Sequence, residues 1–437
     1  MRFMSHDRSV FATRPLFFTL LLLPLISACD PFADWPQPES YFPYVYTPVE
    51  GLLDYEDVRW ETESWDTSDS EMTGLYVLKA LNHRVSAPVE ELQHFEQIRP
   101  RIPPLGSGVR LSFVGDIMYI GGRENWTSYA LPAGILLDGD YRIGNLETPT
   151  SPAHSIEPRA LGLYAFNAPP RMLDGLPLDL LQLNNNHSLD AGDEGLENTI
   201  NELEFRGFEH TGVDAQIQVE LMDGQTNTHQ VAFVSYTWGL NDARRSQNGH
   251  ELHIVPFGHI DEEISLELIG AQINQARAAG AETVVALLHW GFEYEYYPDP
   301  HFMVLARRII ALGADLIVGQ GPHVAQPPEI CSVNNPERVP GIGACSLTTE
   351  DGRQRTAAVL YSLGNFGTEM PTIPAQVGLV ATVSLDPDVT GFGWQGVASI
   401  MSNGEPSVVP LDDLRDRMEY AEERERLREH LGTTWAR

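Results

Sequence analysis

From residue 109 onward, short apolar segments alternate along the chain with amphipathic segments. The apolar segments have the length of strands, and several of the segments between them repeat apolar residues at helical spacing. The predicted strands are 109–114, 178–183, 230–236, 283–288, 315–318 and 357–361. The predicted helices are 195–206, 260–279 and 300–312. Strands that alternate with helices predict an α/β domain.

The two ends of the chain follow other patterns. Segments 378–385 and 397–409 alternate like meandering strands at the edge of a sheet. Segment 411–431 is heavily charged, with Leu414, Met418, Ala421 and Leu427 loosely at helical spacing, which predicts a solvated helix with one docked stripe. We predict four parts: a signal peptide (1–28), an acidic tether with a small N-terminal region (29–105), the main domain (106–410) and a charged C-terminal helix (411–437).

The N-terminus has the pattern of an export signal. Arginines precede an apolar run over 16–26 that is too short to span a bilayer as a helix. The run ends in Ile26-Ser27-Ala28-Cys29, which resembles a bacterial lipobox and predicts cleavage before Cys29 and acylation of that cysteine. Acyl chains would then hold the protein to a membrane of the cell envelope. The alternative is a plain secretory signal with an incidental cysteine.

Two cysteines follow Cys29 in the sequence, Cys331 and Cys345. An even pair in an exported chain favours a disulfide across the loop between them. Two free thiols are the alternative.

The charge balance excludes one class of function. Acidic residues outnumber Lys and Arg by 61 to 28, which gives a net charge of −33. Nucleic-acid binding needs a basic face to neutralise phosphates, so this class is excluded.

Two kinds of enzyme lack their motif in this sequence. Lys79 is the only lysine, and no Walker-type loop is present for a nucleotide. The absence of a G-x-S-x-G motif argues against an α/β hydrolase.

Polar residues recur directly after the predicted strands, at the sheet edge where α/β proteins bind ligands. Each cluster alone has an ordinary structural explanation, such as a turn or a buried core histidine. Together they offer carboxylate, amide and imidazole ligands, which predicts one or two divalent metal ions, Mn²⁺ or Mg²⁺, with Zn²⁺ or Fe as alternatives. The clusters are Gly115-Asp116, Asn145-Leu146-Glu147, Asn184-Asn185-Asn186-His187, His289-Trp290 and Pro322-His323.

The order of these motifs resembles the CapA family of bacterial capsule and poly-γ-glutamate synthesis proteins. The resemblance runs from about residue 109 to 368, and its most specific strings are Asn185-Asn186-His187-Ser188-Leu189-Asp190 and Tyr361-Ser362-Leu363-Gly364-Asn365-Phe366. It implies a calcineurin-like metallophosphoesterase fold, a four-layer α/β/β/α sandwich with a metal cleft at the strand ends. It also implies metal-dependent hydrolysis or transfer at a phosphoester during the assembly of a surface polymer.

The resemblance also implies a role for each site residue. Asp116 and His323 would hold a first metal and Glu147 would bridge to a second. Asn186 and His289 would hold the second metal, and Asn186 and His187 would be catalytic, with His187 beside the leaving oxygen. Other residues of the cleft would be Asn145, Asn185, Asp190, Glu293, Tyr294 and, in a turn, Asn365.

The chain departs from the pattern of these relatives in two places. Met118 stands where the phosphoesterase superfamily usually has the histidine of D-x-H, a loss that the CapA family shares. Gln320 and Gly321 stand where the CapA family often has further histidines. Fewer imidazoles favour an oxygen-liking metal over Zn²⁺. The alternative function is therefore a non-catalytic scaffold or export component with a degenerate metal site, in contact with the polymer or with other assembly proteins.

Overall fold

The computed structural model describes residues 94–95, 102–120, 134–135, 137–156, 165–214, 217–222, 228–241, 250–257, 263–335, 345–349, 351–402 and 405–432. The predicted signal peptide, Cys29, Lys79 and most of the predicted region 29–105 lie outside these residues. Within them, no helix is both long and apolar enough to cross a bilayer.

Strands make up most of the regular structure. They are β1 (Val109–Ile117), β2 (Tyr141–Leu146), β3 (Leu180–Gln182), β4 (Glu209–Thr211), β5 (Ile217–Met222), β6 (Thr228–Thr237), β7 (Thr283–His289), β8 (Leu316–Gln320), β9 (Glu329–Val333), β10 (Cys345–Leu347), β11 (Arg355–Leu360), β12 (Asn365–Gly367), β13 (Val377–Asp386), β14 (Asp388–Ser402) and β15 (Glu405–Pro410). The six predicted strands are confirmed, with bounds that shift by a few residues.

The strands form two mixed sheets. The first has the order β15-β14-β13-β1-β2-β3-β4, with β12 also paired to β1, and the second has the order β10-β9-β11-β8-β7-β6-β5. Strands β1 to β4 run parallel to one another, as do β6, β7 and β8. Their carboxyl ends therefore share an edge in each sheet, which is where the polar clusters of the sequence lie. The predicted edge meander is β13-β14-β15.

The helices are α1 (Gly192–Arg206), α2 (Glu267–Ala278), α3 (Pro300–Ala311), α4 (Ile373–Gln376) and α5 (Ala421–Leu431), and short 3₁₀ turns cover Pro170–Leu173, Leu411–Leu414 and Met418–Tyr420. Helix α3 begins as its sequence dictates: Asp299 caps it by accepting from the His301 N–H, and Pro300 takes the first position. The predicted helix over 260–279 is confirmed from Glu267 onward.

Successive side chains of each strand face opposite sides of its sheet, so the apolar core is divided into layers. On β7, Val285 and Leu287 face an apolar core shared by both sheets. Val284, Ala286 and Leu288 face the other way and pack with α2 and α3. The outer face of the first sheet packs in the same manner against α1 and the 3₁₀ turn that begins at Pro170. The order of layers is thus α/β/β/α, as predicted for a calcineurin-like fold.

The C-terminal segment differs from the predicted continuous helix. Two 3₁₀ turns occupy the first part, and the α-helix begins only at Ala421. A 3₁₀ helix has about three residues per turn and an α-helix has about 3.6. Residues spaced for one face of an α-helix therefore no longer lie on one face where the backbone is 3₁₀. Met418 is consequently 77 % exposed, so its predicted place on the docked stripe is wrong, whereas Leu427 is fully buried.

Cys331 and Cys345 lie opposite each other on the parallel strands β9 and β10 and are joined by a disulfide. Both side chains are buried. The bond therefore fixes an edge strand to its neighbour within the second sheet.

Candidate metal centre

Four of the predicted ligands meet between the two sheets. Asp116 lies in β1 and Glu147 directly follows β2, both in the first sheet. His289 ends β7, and His323 follows β8, both in the second sheet. All four side chains are buried. Asp116, Glu147 and His289 each offer one ligand atom within 4.8 Å of the others, so this group could hold a metal ion.

Two glycines let the backbone come close enough to form the site. A Cβ atom on Gly115 would lie 1.8 Å from the carbonyl oxygen of Gly364, so only glycine fits there. The adjacent Asp116 N–H donates to that same oxygen at 3.0 Å. Gly364 itself has a φ of 68°. The Gly115-Asp116 motif and the motif over 361–366 therefore contact each other directly through the Gly364 carbonyl.

Asp116 is held in place by several donors. Its Oδ1 accepts from Asn145 Nδ2 at 2.7 Å, and its Oδ2 accepts from the Gly321 N–H at 3.2 Å. Nδ1 of His323 lies 3.3 Å from Oδ2. Burial opposes ionisation, but the hydrogen bond and charge of His323 hold the pKa of Asp116 below its usual value. Asp116 is therefore a carboxylate, the form that binds a cation.

Glu147 is the unusual member of the group. It is fully buried, and within the described residues neither carboxylate oxygen has a hydrogen-bond partner. Oε1 lies 3.5 Å from His289 Nε2, and Oε2 lies 3.8 Å from His323 Nδ1. Burial, followed by the negative charges of Asp116 and Glu293, raises the pKa of Glu147 well above its usual value. A buried carboxylate without donors is costly unless a cation neutralises it, so the residues present fit a divalent metal.

The two histidines differ in charge. Burial lowers the pKa of His289 to about 3, so its ring is neutral and can act as a ligand. Burial also disfavours protonation of His323, but the hydrogen bond to Asp116 and the charge of Glu293 raise its pKa. Nδ1 of His323 lies 3.1 Å from Oδ1 of Asn365 as well, so Asp116 and Asn365 together orient this ring. Asn365 thus does more than shape the predicted turn.

The Asn-rich turn after β3 joins the site through Asn185. Its Nδ2 donates to Oδ1 of Asn145 at 3.1 Å and to the carbonyl of Leu146 at 2.8 Å. Its Oδ1 accepts from the His187 N–H at 3.1 Å. Because Asn145 contacts Asp116, a chain of amides connects this turn to the carboxylates.

Asn186 has a partner that the sequence analysis missed. Its Nδ2 donates to Oδ1 of Asn241 at 3.0 Å, and the Asn241 N–H donates to the Asn186 carbonyl at 3.0 Å. The Asn186 Oδ1 atom is buried and has no hydrogen-bond partner among the described residues, so it could serve as a ligand. Asn241 also follows a strand, β6, but in the sequence it is a single asparagine after Trp-Gly-Leu, which is typical of an ordinary loop.

His187 forms a dyad with Asp190. Its Nδ1 lies 2.6 Å from Oδ2 of Asp190, which also accepts from the Phe166 N–H at 2.7 Å. The Phe166 ring stacks on the imidazole with centroids 4.4 Å apart. Nδ2 of Asn241 lies 3.3 Å from each ring nitrogen. The imidazole is therefore fixed in orientation on several sides.

Two further predicted residues lie at the rim of the site. Glu293 has one buried oxygen, Oε2, without a hydrogen-bond partner in the described part of the chain, and its charge acts on both Glu147 and His323. The Tyr294 ring lies 5.9 Å from the His323 ring. Tyr294 and His323 both have left-handed backbones, with φ of 64° and 59°. Strained residues of this kind cluster at functional sites.

The departures at Gln320 and Gly321 have visible consequences. Gln320 donates through Nε2 to the Val114 carbonyl at 2.9 Å, and its buried Oε1 has no hydrogen-bond partner among the described residues. Gly321 has a φ of 111°, and a Cβ there would lie 3.4 Å from His289 Nε2. A side chain at position 321 would therefore point at the cluster. This chain offers a backbone N–H to Asp116 there instead.

Comparison with known proteins identifies a matching family. The model of the family described as bacterial capsule synthesis protein PGA_cap matches residues 110–369. The chain is 27 % identical over 235 residues to the PGA biosynthesis protein CapA of Bacillus subtilis (strain 168), covering 50 % of this chain and 58 % of that protein. It is 26 % identical over 253 residues to the capsule biosynthesis protein CapA of Bacillus anthracis, covering 54 % and 59 %. The matches thus span less than two thirds of either relative.

Proposed function

Because the chain belongs to the PGA_cap family of bacterial capsule synthesis proteins, as the match over residues 110–369 shows, we propose that it takes part in building a capsule or poly-γ-glutamate polymer at the cell surface. We further propose that it does so as a metal-dependent enzyme that hydrolyses or transfers a phosphoester. The observation that carries the proposal is the Glu147 carboxylate, which is fully buried beside Asp116 and two histidines and accepts no hydrogen bond from any residue that the structure describes.

Asp116, Glu147 and His289 would hold the cation, with His323 and the Asn186 Oδ1 atom as further donors. When bound, a divalent cation supplies Lewis acidity, which offsets negative charge on a phosphoryl group and makes water more acidic. Mn²⁺ and Mg²⁺ suit this oxygen-rich set better than Zn²⁺.

His187 is the residue that moves a proton. Asp190 holds the proton on Nδ1, 2.6 Å away, which leaves Nε2 to exchange a proton with the leaving oxygen. Asn241 and Phe166 keep the ring in that orientation. The described part of the site contains no Arg or Lys hydrogen-bonded to Asp116 or Glu147. The negative charge of a phosphoester substrate would therefore be offset mainly by the bound cation.

The location follows from the same proposal. A protein that builds a surface polymer works at the cell envelope, and acylation of Cys29 would hold it there. The polymer or its phosphoester precursor would be the substrate, and other assembly proteins would be partners.

Hydrolysis of aryl phosphates and phosphodiesters by the purified chain with added Mn²⁺ tests the enzymatic proposal. Asp116→Ala, His187→Ala and His289→Ala should each lower the rate at least about a hundredfold. His229→Ala is the matched control, because His229 is also buried but contacts Thr283 at the opposite end of the sheet. Activity that survives unchanged in all three site variants would rule the enzyme out.

A non-catalytic scaffold is the second candidate, and it is favoured by Gln320 and Gly321 in place of histidines. Such a protein would guide the polymer or an export machine at the membrane. Elemental analysis of the purified chain separates the two: stoichiometric metal supports the enzyme, and a chain that takes up no Mn²⁺, Mg²⁺, Zn²⁺ or Fe supports the scaffold.

A further inference from the structure

We propose that helix α5 positions the metal centre, and that Arg426 is its positioning residue. This inference rests on the proposed metal site and extends it to a part of the chain beyond residues 110–369, which the family model matches. The helix packs behind the two loops that carry Tyr294 and His323, and a single buried arginine contacts both loops.

Arg426 reaches from α5 to both loops at once. Its Nη1 donates to the carbonyl of Ala325 at 2.7 Å, two residues after His323. Its guanidinium lies over the Tyr296 ring, 4.3 Å from the centroid, two residues after Tyr294. The Arg426 side chain is only 8 % exposed, so water does not compete for these contacts.

Glu423 completes the arrangement from the same helix. It accepts from Nε of Arg426 at 2.9 Å and from the Tyr296 hydroxyl at 3.4 Å. The guanidinium therefore has a fixed orientation, because its Nε side binds Glu423 and its Nη1 atom binds the Ala325 carbonyl. An arginine fixed in this way is a rigid support, and a lysine has no planar fork to replace it.

The two loops are also bound to each other. The Tyr294 N–H donates to the Pro322 carbonyl at 2.8 Å, and Gln326 Nε2 donates to the Glu295 carbonyl at 2.7 Å. A displacement of either loop therefore moves the other. His323, whose Nδ1 faces Asp116, lies in the middle of this pair of contacts.

The backbone at both loops needs outside support. Tyr294 and His323 have φ of 64° and 59°, in the left-handed region that side chains disfavour. Strained residues persist only where the surrounding structure over-determines them. Arg426 supplies such a restraint two residues beyond each of them.

Helix α5 is itself well anchored, so it can serve as a fixed base. Leu427 and Leu431 are fully buried in the core between the sheets, together with Ala325 and Leu363. The Tyr297 ring packs against His430 with centroids 5.0 Å apart. The helix therefore joins the loops to the main core.

Mn²⁺ titration of the full chain by isothermal calorimetry tests the proposal, with Arg426→Met compared with Arg424→Met. Arg424 is the matched control: it lies on the same helix with the same 8 % exposure but donates to Leu414 and Arg415, away from the site. We expect Arg426→Met to weaken Mn²⁺ binding about tenfold, as loss of an outer support does at other metal sites. Arg424→Met should lower the melting temperature and leave Mn²⁺ affinity unchanged.

Arg426→Lys keeps the buried charge opposite Glu423, so it replaces Arg426→Met in the test if the methionine variant does not fold. It should weaken Mn²⁺ binding by less than the roughly tenfold factor expected for Arg426→Met.

Hydrogen exchange on the metal-free protein gives an independent measure of the positioning role. Amides of segments 294–297 and 323–326 should exchange faster in both Arg426 variants than in Arg424→Met. Equal Mn²⁺ affinity and equal exchange in folded Arg426 and Arg424 variants would overturn the positioning role. A wild-type chain that binds no Mn²⁺ would instead overturn the proposed metal site, and the exchange data would still decide the role of Arg426.

Discussion

Oδ2 of Asp116 lies 3.3 Å from Nδ1 of His323, and both side chains are buried between the sheets. The pKa of Asp116 is lowered from 3.8 and the pKa of His323 is raised from 6.5, because each charge favours the other against the opposing effect of burial. The stabilisation from Asp116 is present above pH 3.8 and is lost as the pH falls through the lowered pKa. The stabilisation from His323 is present below pH 6.5 and is lost as the pH rises through the raised pKa.

The pair should therefore stabilise the metal-free protein most between about pH 4 and pH 6.5. Asp116→Asn should lower the free energy of unfolding there by about 3–5 kcal/mol, because it leaves a buried charge without its partner. Urea unfolding in EDTA across pH 3 to 9 measures this difference. A wild-type minus variant difference that does not change with pH would contradict the ion pair.

The second prediction compares two fully buried glutamates. Glu147 has no hydrogen-bond partner among the described residues, whereas Glu329 accepts from Arg307 and from the Tyr361 hydroxyl. Glu147→Gln should therefore raise the stability of the metal-free protein, because it removes a charge that burial penalises. Glu329→Gln should lower it by about 3 kcal/mol, because it leaves Arg307 without its partner.

Saturating Mn²⁺ should narrow the stability difference between these two variants. A ligand at a hundred times its Kd stabilises a protein by about 2.7 kcal/mol, and we expect this gain in the wild type and in Glu329→Gln. Glu147→Gln should show almost none of it. Differential scanning calorimetry with and without Mn²⁺ measures both effects, and a full Mn²⁺ gain in Glu147→Gln would exclude Glu147 as a ligand.

The third prediction concerns the proton that Asp190 holds on His187. Asp190→Asn should lower the rate of aryl phosphate hydrolysis by about a hundredfold to ten-thousandfold, because the dyad can no longer stabilise a protonated imidazole. Mn²⁺ affinity should stay within about twofold of the wild type, because Asp190 pairs with His187, which is not one of the proposed ligands. Loss of an outer-shell contact to a ligand would weaken binding at least about tenfold. Steady-state kinetics beside calorimetric titration gives the two readings, and a parallel loss of both would place Asp190 among the metal ligands.

Asn241, unlike Asp190, should affect the binding of Mn²⁺. Asn241→Ala removes the acceptor for Asn186 Nδ2, so we expect Mn²⁺ binding to weaken about tenfold. Asn241→Asp keeps an acceptor oxygen and should recover most of the affinity. If both variants bind Mn²⁺ as tightly as the wild type, the Asn186 amide is not a ligand.

The disulfide gives a prediction about stability alone. Cys331 and Cys345 are 14 residues apart in sequence, and closing a loop of about that length stabilises a protein by about 3 kcal/mol. Cys331→Ala with Cys345→Ala should lower the free energy of unfolding by that amount and leave Mn²⁺ affinity unchanged. Chemical denaturation of both forms measures the difference; unchanged stability would mean that the β9–β10 pairing needs no covalent bond.

The sequence was informative where a buried strand ended in a polar residue. Parallel strands bring their carboxyl ends to one edge of a sheet, so Asp116 could be grouped with Glu147, and His289 with His323, whatever their separation in the chain. The joining of the two pairs in one site came from the resemblance to a family. The same rule applied to Asn241, but a single asparagine after a Trp-Gly-Leu turn carries too little signal to distinguish it from an ordinary loop residue.

The C-terminal segment shows what local pattern could not predict. Charged residues along 421–431 were expected to face solvent, yet Glu423, Arg424 and Arg426 are buried. Their burial depends on partners far away in sequence, such as the Ala325 carbonyl and the Tyr296 ring. Helical periodicity reports apolar faces, and it cannot report a charge that becomes buried because the rest of the fold supplies its partner.

The division of ligands between the sheets has a mechanical consequence. Asp116 and Glu147 belong to one sheet, while His289 and His323 belong to the other, and the two sheets share an apolar core whose packing is not directional. An ion bound by all four would cross-link the layers and resist sliding of one across the other. Substitutions in the inter-sheet core, such as Leu287→Ala, should then alter ion affinity without touching the ion, and ion loss should loosen strands that hold no ligand.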